Sequence, residues 1–299
     1  MARTESINVL LGEGGKALLD EQYGFLLKDL ERECISSRIK NTNLSIDPES
    51  GSIEVDRYHK LDVDNYGTAR SAGAGSAAET DPLIINIDQR KESIPEFEQG
   101  DIDAKKSLKI FLNGVREKQA RSMARHLDTA FWATAKSGGT QFKPLSTISG
   151  IDKQFDAAVV QLQSLVDDYV DGVNLEDMFC IFDNQTYMDL KEEIDEKQRP
   201  NTDTAEGKIK LYHGVECDST HRLPQGVKFI LLVKDYSVAQ PVKVWYQDFF
   251  TPQYSNGVAM PLFFHYGVQN VNAAASLWFD GTTEEPTNED KGKGKGKNK

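Results

Sequence analysis

The chain is short of the residues that build covalently stapled or metal-held proteins. Its three cysteines, Cys34, Cys180 and Cys217, lie far apart with no Cys-x-x-Cys pair. That excludes a disulfide framework and suits buried free thiols in a reducing compartment. The five histidines are scattered, and no His-Glu-x-x-His or Gly-x-Ser-x-Gly motif occurs, so neither a zinc protease nor a serine hydrolase is indicated. No stretch approaches the roughly 18 apolar residues that cross a bilayer. The first eleven residues lack the basic and apolar blocks of a signal peptide, so the chain is expected to begin in the cytosol with no membrane partner. Positive charge is also scarce: 35 Lys and Arg against 47 Asp and Glu give a net charge of −12. A protein that grips duplex nucleic acid with its main surface needs the opposite balance.

What the chain does have is an uncommon order of parts. Ile53-Glu54-Val55-Asp56-Arg57-Tyr58-His59-Lys60-Leu61-Asp62-Val63 alternates with Ile53, Val55 and Arg57 on one parity, the signature of a strand. Leu83-Ile84-Ile85-Asn86-Ile87-Asp88-Gln89-Arg90 is the β-branched return stretch, and residues 67–76 between them are glycine, alanine and other small or flexible types. A two-stranded ribbon of this kind is marginally stable alone and needs neighbours.

Pro95 and Gly100 punctuate the chain, and Asp101 or Asp103 is a candidate N-cap for a helix over 102–136. Its apolar positions are Leu108, Phe111, Leu112, Val115, Met123, Leu127, Ala130, Phe131 and Ala135; at 1.5 Å per residue it would reach roughly 50 Å. Lys105, Lys106, Lys109, Arg116, Lys118, Arg121 and Arg125 read as its solvated face. Ser137-Gly138-Gly139 ends it.

An amphipathic arm precedes the hairpin, with Leu18, Leu19, Tyr23, Leu26, Leu27, Leu30, Cys34 and Ile35 at helical spacing. After the long helix, 151–169 reads as helix and Met178-Phe179-Cys180-Ile181-Phe182 as a buried strand. Asp183 or Asn184 would cap a helix over 185–196. Residues 199–204 read as loop, and strands are expected over 208–212, 227–233, 241–246, 258–264 and 268–278. From Thr282 the apolar residues stop, and the chain ends in alternating Lys and Gly, expected to be a disordered tail. Its ammonium groups could also attract nucleic acid at low salt.

Gly12-Glu13-Gly14-Gly15-Lys16-Ala17 invites a phosphate-loop reading but has Leu10 where the first glycine belongs and Ala17 where a magnesium-binding hydroxyl belongs. His213, Cys217 and His221 are spaced i, i+4, i+8, but Gly214 and Leu223-Pro224-Gln225-Gly226 make this strand and turn, with no fourth ligand. Glu192, Glu193, Asp195 and Glu196 fall on a solvated helix face. No catalytic, cofactor-binding or metal-ligating residue is assigned, no cofactor is expected, and the chain reads as a non-enzyme.

The order of arm, hairpin, long helix, α/β insert and returning strands resembles the major capsid protein of tailed bacteriophages, the Hong Kong 97-type fold. Tyr212-His213-Gly214-Val215, followed by Leu223-Pro224-Gln225-Gly226-Val227 and Val233-Lys234-Asp235-Tyr236-Ser237-Val238, resembles the family's strand, turn and strand near the end of the axial domain. Phe264-His265-Tyr266-Gly267-Val268 resembles its return to the peripheral domain. Ile94-Pro95-Glu96-Phe97 with Gly100-Asp101-Ile102-Asp103 resembles the approach to its spine helix.

The resemblance implies an α+β capsid fold: an N-terminal arm (1–50), an extended β-hairpin loop (51–100), a peripheral domain with the spine helix (101–145), an inserted axial domain (146–240), peripheral return strands (241–280) and the Lys/Gly tail (281–299). It further implies self-assembly as pentamers and hexamers into an icosahedral head shell around double-stranded DNA, which the chain would contact weakly. Partners would be a scaffolding protein, or a reduced built-in segment around 17–39, together with a portal and possible decoration proteins. The place of work would be the virion, after synthesis and assembly in the host bacterial cytoplasm. Lys60 lies in the hairpin, but no motif identifies a cross-linking partner. The alternatives are an encapsulin-like cellular compartment, a cytosolic enzyme with an unrecognised carboxylate site, and a nucleic-acid binder acting through its tail.

Overall fold

The computed structural model describes residues 7–44, 51–61, 78–105, 107–197 and 209–285. The hairpin tip 67–76, Asp62 and Val63 of the first extended stretch, Lys106, the loop 199–204, Lys208 and the run 291–299 lie outside the described residues. In chain order the elements are α1 (Glu13–Glu33), β1 (Ser52–Tyr58), β2 (Thr80–Asn86), β3 (Gln89–Ser93), β4 (Glu96–Phe97), α2 (Gln99–Lys105), α3 (Leu108–Gly138) and β5 (Thr140–Gln141). There follow α4 (Ile151–Gln163), β6 (Met178–Phe182), α5 (Asn184–Lys197), β7 (Leu211–Tyr212), β8 (Val215–Ser219), β9 (Phe229–Val233) and β10 (Val238–Ala239). The chain closes with β11 (Val242–Tyr246), β12 (Val258–Ala259), β13 (Leu262–Tyr266), β14 (Gln269–Asn270) and β15 (Ser276–Phe279).

These elements form two compact units. Met1–Val55, Ile84–Phe131 and Ala239–Gln269 make the first, and Asp56–Leu83, Trp132–Val238 and Asn270–Lys299 the second. In the first unit the antiparallel sheet β11-β13-β3 lies beside α3, burying Leu262, Phe264 and Tyr266 with Ala120, Met123, Ala124 and Leu127. The buried Gln119 amide joins helix to sheet edge, donating to the carbonyls of Ser93 and Met260 at 3.1 Å each and accepting from the Tyr246 hydroxyl at 3.0 Å. Such pairing is required of a buried amide. A second cluster, Leu10, Leu19, Phe97, Ile102, Leu108 and Leu112, packs the other end of this unit.

In the second unit a six-stranded sheet has the order β5-β15-β9-β6-β8-β7. Every residue of β6 and of β9 is buried, which is why both read as unbroken apolar runs rather than alternating ones. Phe155, Ala158, Val159 and Leu162 of α4 and Leu190 and Ile194 of α5 complete its core. His213 and Gly214 join β7 to β8 with φ of 49° and 88°; positive φ at both central residues is the hairpin turn whose twist matches its strands. The first histidine of the i, i+4, i+8 series is thus a turn residue.

Several expectations need correction. The return stretch is two strands: β2 pairs with β1, but β3 leaves the ribbon to pair with β13. The long helix is interrupted between α2 and α3. Neither Asp101 nor Asp103 is the N-cap. Asp101 lies in the first turn and accepts from the backbone N–H of Glu98 at 2.9 Å, the third-position half of a capping box. The helix expected over 151–169 stops at Gln163, after which the chain folds back: Gly172 N–H donates to Leu165 O at 2.8 Å, and Asp167 within this loop accepts from the N–H groups of Tyr169 (2.8 Å) and Val170 (2.6 Å). Asp183 does cap α5, accepting from Thr186 N–H at 2.6 Å. The strands expected over 258–264 and 268–278 are each broken in two. The last of these pieces, β15, pairs with β9 and β5 in the second unit.

Candidate assembly surfaces

β1 and β2 form a two-stranded sheet, with Leu44 bridging Val55 of β1. Alternation sends Ile53 (6% exposed), Val55 (0%) and Ile85 (1%) inward, while Tyr58 (60%) and Ile84 (62%) stand outward and Leu61 beyond β1 is 63% exposed. The outward face thus carries large apolar side chains that the single chain leaves in water. That is a ready surface for association.

Within the second unit the ribbon is held by side chains from both of its strands and the loop after α4. Asp81 receives the Tyr169 hydroxyl at 2.6 Å and pairs with His59 Nε2 at 3.1 Å, with an Arg57 guanidinium nitrogen at 3.9 Å. The Arg57 guanidinium also lies 4.9 Å from the centre of the Tyr169 ring, against which the His59 ring leans at 4.9 Å. The hydroxyl of Tyr169, then His59, hold the Asp81 carboxyl below the usual carboxylate range, and Asp81 in turn pushes the Tyr169 phenol up. The backbone N–H of Lys60 donates to Asp168 O at 3.0 Å.

The arm is anchored within the first unit. Leu19, Gln22 and Leu26 are the buried stripe of α1, and its acidic residues meet the basic residues of α3. Arg116, expected on a solvated face, is 7% exposed and donates to Asp29 at 2.9 Å, Gln22 at 3.1 Å and Asn113 at 3.0 Å. Lys109 pairs with Glu21 at 2.6 Å and Arg121 with Glu33 at 3.8 Å. Past the helix end, the fully buried Asp128 carboxylate accepts from the N–H groups of Ile35 (3.3 Å) and Ser36 (3.0 Å) and the thiol of Cys34 (3.2 Å). Ser36 Oγ then donates to Gln240 Oε1 at 3.1 Å. Asp128 was legible as a lone carboxylate inside the apolar series Ala124, Leu127, Phe131, a polar interruption that marks a buried partner. Gly15 is explained by close approach: a Cβ there would lie 1.9 Å from Leu10 O. The glycines of the rejected phosphate loop belong to the packed start of α1.

The three cysteines are buried and free. Burial, and then the charge of Asp128, push the Cys34 thiol up to about 12; burial raises Cys180 and Cys217 as well. We expect the native chain to react negligibly with an aromatic disulfide reagent at mildly alkaline pH and to release all three thiols on denaturation. Rapid labelling of the native chain would contradict this packing. Cys217 lies in β8, and the His213 ring stacks on Tyr212 at 4.1 Å and hydrogen-bonds Asp156. Among the described residues no group of three His, Cys, Asp or Glu could hold a metal ion, and no helix is long and apolar enough to cross a membrane.

Solved structures share this architecture. A chain from Mycobacterium phage Che8 matches with a TM-score of 0.59 at 13% identity, covering 83% of this chain and 91% of that one. A chain from the capsid of the cyanophage P-SCSP1u gives 0.57 at 14% identity, with 78% and 84% covered. A virus-like particle chain from Pyrococcus furiosus gives 0.54 at 12% identity, with 87% and 98% covered. No protein-family model and no curated protein matches the sequence. The chain has the Hong Kong 97-type fold of phage major capsid proteins.

Proposed function

We propose that this chain is a structural subunit that assembles, as pentamers and hexamers, into an icosahedral head shell enclosing double-stranded DNA in a virion. In this reading the first compact unit is the peripheral domain, the second the axial domain, and the β1–β2 ribbon a clamp on an adjacent subunit. The observation that carries it is a capsid fold whose ribbon leaves Tyr58, Leu61 and Ile84 at least 60% exposed. Burying such side chains against neighbours stabilises an assembly by about 25 cal/mol per Å² of apolar surface, and closed rings of one repeated contact need no catalytic centre.

Negative-stain microscopy of the purified chain tests it directly: uniform closed particles are expected, and a monodisperse small species under all assembly conditions would sink it. Deleting residues 67–80 should abolish particles while each unit still folds. Particles of normal number and stability from that deletion would remove the clamp role. The match along 98% of the Pyrococcus furiosus virus-like particle chain favours a second reading, a cellular shell around protein cargo. Nuclease-protected DNA inside purified particles supports the first, and a co-purifying enzyme with no DNA the second.

A further inference from the structure

An asparagine is followed by a glycine at two places, Asn113-Gly114 and Asn256-Gly257. Glycine has no side chain to shield its own backbone nitrogen, so in such a pair that nitrogen can attack the side-chain amide carbon of the asparagine. The attack needs the N–H to lose its proton and the chain to be free to bring the two atoms together. Inside α3 the second condition fails: Gly114 lies in the helical ladder, and Asn113 Oδ1 accepts from Arg116 Nη1 at 3.0 Å.

The second pair is placed differently. It lies in the loop 251–257 ahead of β12, with Asn256 exposed. The loop turns through Tyr254, at φ of 66°, and Ser255 N–H donates to Pro252 O at 3.2 Å. There the Gly257 N–H donates to Ser255 Oγ at 2.9 Å, and the Ser255 hydroxyl donates in turn to the Glu96 carboxylate. Nitrogen, hydroxyl and carboxylate make a proton path, the arrangement by which a positioned base activates a nucleophile. The packing holds both ends of it. A Cβ at 257 would lie 2.9 Å from Phe97 O, so glycine is required there, and the pairing of β12 with β4 that brings Phe97 close also brings Glu96.

We infer that Asn256–Gly257 is a site of self-catalysed deamidation, with Ser255 and Glu96 as its proton relay. The Gly257 nitrogen bonds to Asn256 Cγ while its proton passes through Ser255 Oγ to Glu96. The Cγ–Nδ2 bond breaks, and the amide nitrogen takes that proton and leaves as ammonia. Water then opens the cyclic imide to aspartate or isoaspartate, so one water is consumed, one ammonia is released and nothing is oxidised or reduced. Each conversion adds a negative charge to the loop, as other charge-changing modifications do. The isoaspartate form also adds a main-chain carbon just before β12, whose Val258 packs with Phe97 and Met260 in the core of the first unit. The inference goes beyond the shell reading and stands whether or not the chain assembles.

Peptide mapping by mass spectrometry of the full folded chain, incubated at neutral pH, tests it, with enzymatic methylation to count isoaspartate. Acid should accumulate at residue 256 while Asn113 stays an amide. Ser255→Ala and Glu96→Gln should each slow conversion about a hundredfold, the lower end of what a positioned acid or base contributes. Ser255→Thr keeps a hydroxyl and should keep most of the rate. The pH profile separates proton transfer from loop shape: around neutrality conversion should vary little with hydroxide concentration in the unaltered chain and rise with it in Ser255→Ala. Circular dichroism should be the same for all variants, since the altered side chains lie at the surface loop. A folded chain in which Asn256 lasts as long as Asn113 overturns the inference. So does an unchanged rate in both Ser255→Ala and Glu96→Gln, which would assign the conversion to the dipeptide alone.

Discussion

Phe229→Ala is expected to destabilise the second unit by about 4 kcal/mol, at the upper end of single-site effects. Phe229 is fully buried in β9, with the rings of Phe279, Phe182, Phe155 and Phe142 at centroid distances of 5.1, 5.8, 6.2 and 6.5 Å. These partners come from β15, β6, α4 and the segment after β5, so one ring touches both sheet neighbours of its strand and a covering helix. Truncation removes dispersion contacts on several sides and leaves a cavity that rigid strands cannot close. Calorimetry of the unassembled chain should show one transition lowered by roughly 10 °C, with Phe229→Leu costing much less. A loss under about 1 kcal/mol would mean that the aromatic cluster is not the core of this unit.

Asp128→Ala is the second large effect, expected at about 3 kcal/mol and expressed locally. The carboxylate holds two backbone N–H groups and a thiol in a site that water does not reach. Alanine leaves the buried Ser36 donor and the part-buried Ile35 donor without that acceptor, and an unmade buried hydrogen bond costs more than a made one contributes. The arm should loosen from α3 first: limited proteolysis should cut near residues 34–44 much faster, and the Cys34 thiol should become reactive. Asp128→Asn keeps one acceptor oxygen and should lie between the two. An alanine variant with unchanged proteolysis and thiol reactivity would show that the arm is held by α1 packing alone.

The parts that could be read from the sequence are those whose burial is decided locally. Met178 to Phe182 is apolar at every position, and its full burial follows from having partners on both faces. The stripes of α1 and α3, and the parity of Ile53, Val55 and Arg57, follow from helix and strand periods. Arg116 was misread because a period locates one apolar face and assumes that the opposite one meets water. Helix α3 meets the sheet on one side and α1 on another, and the acid that receives Arg116 is 87 residues upstream. For the same reason the seam between β2 and β3 was invisible: Leu83 to Arg90 is uniformly β-forming, and only the position of β13 makes its second half change sheets. The end of α4 was missed because the chain after Gln163 folds back, with Gly172 N–H on Leu165 O and Val173 N–H on Gln163 O, a return that helical spacing does not register.

Composition and order of parts established a chain without disulfide staples, with a ribbon too exposed to stand alone and a long helix behind it, because charge, cysteine spacing and periodicity are properties of neighbouring residues. The tertiary structure decided the rest: that Asp128 and Arg116 fasten the arm, that Ser276 to Phe279 completes the sheet of the second unit, and that Glu96 reaches the Ser255 hydroxyl beside the Asn256–Gly257 bond. Each of these joins or exposes groups through the packing of distant segments, and the free energy of such contacts depends on separation in space, which spacing along the chain does not encode.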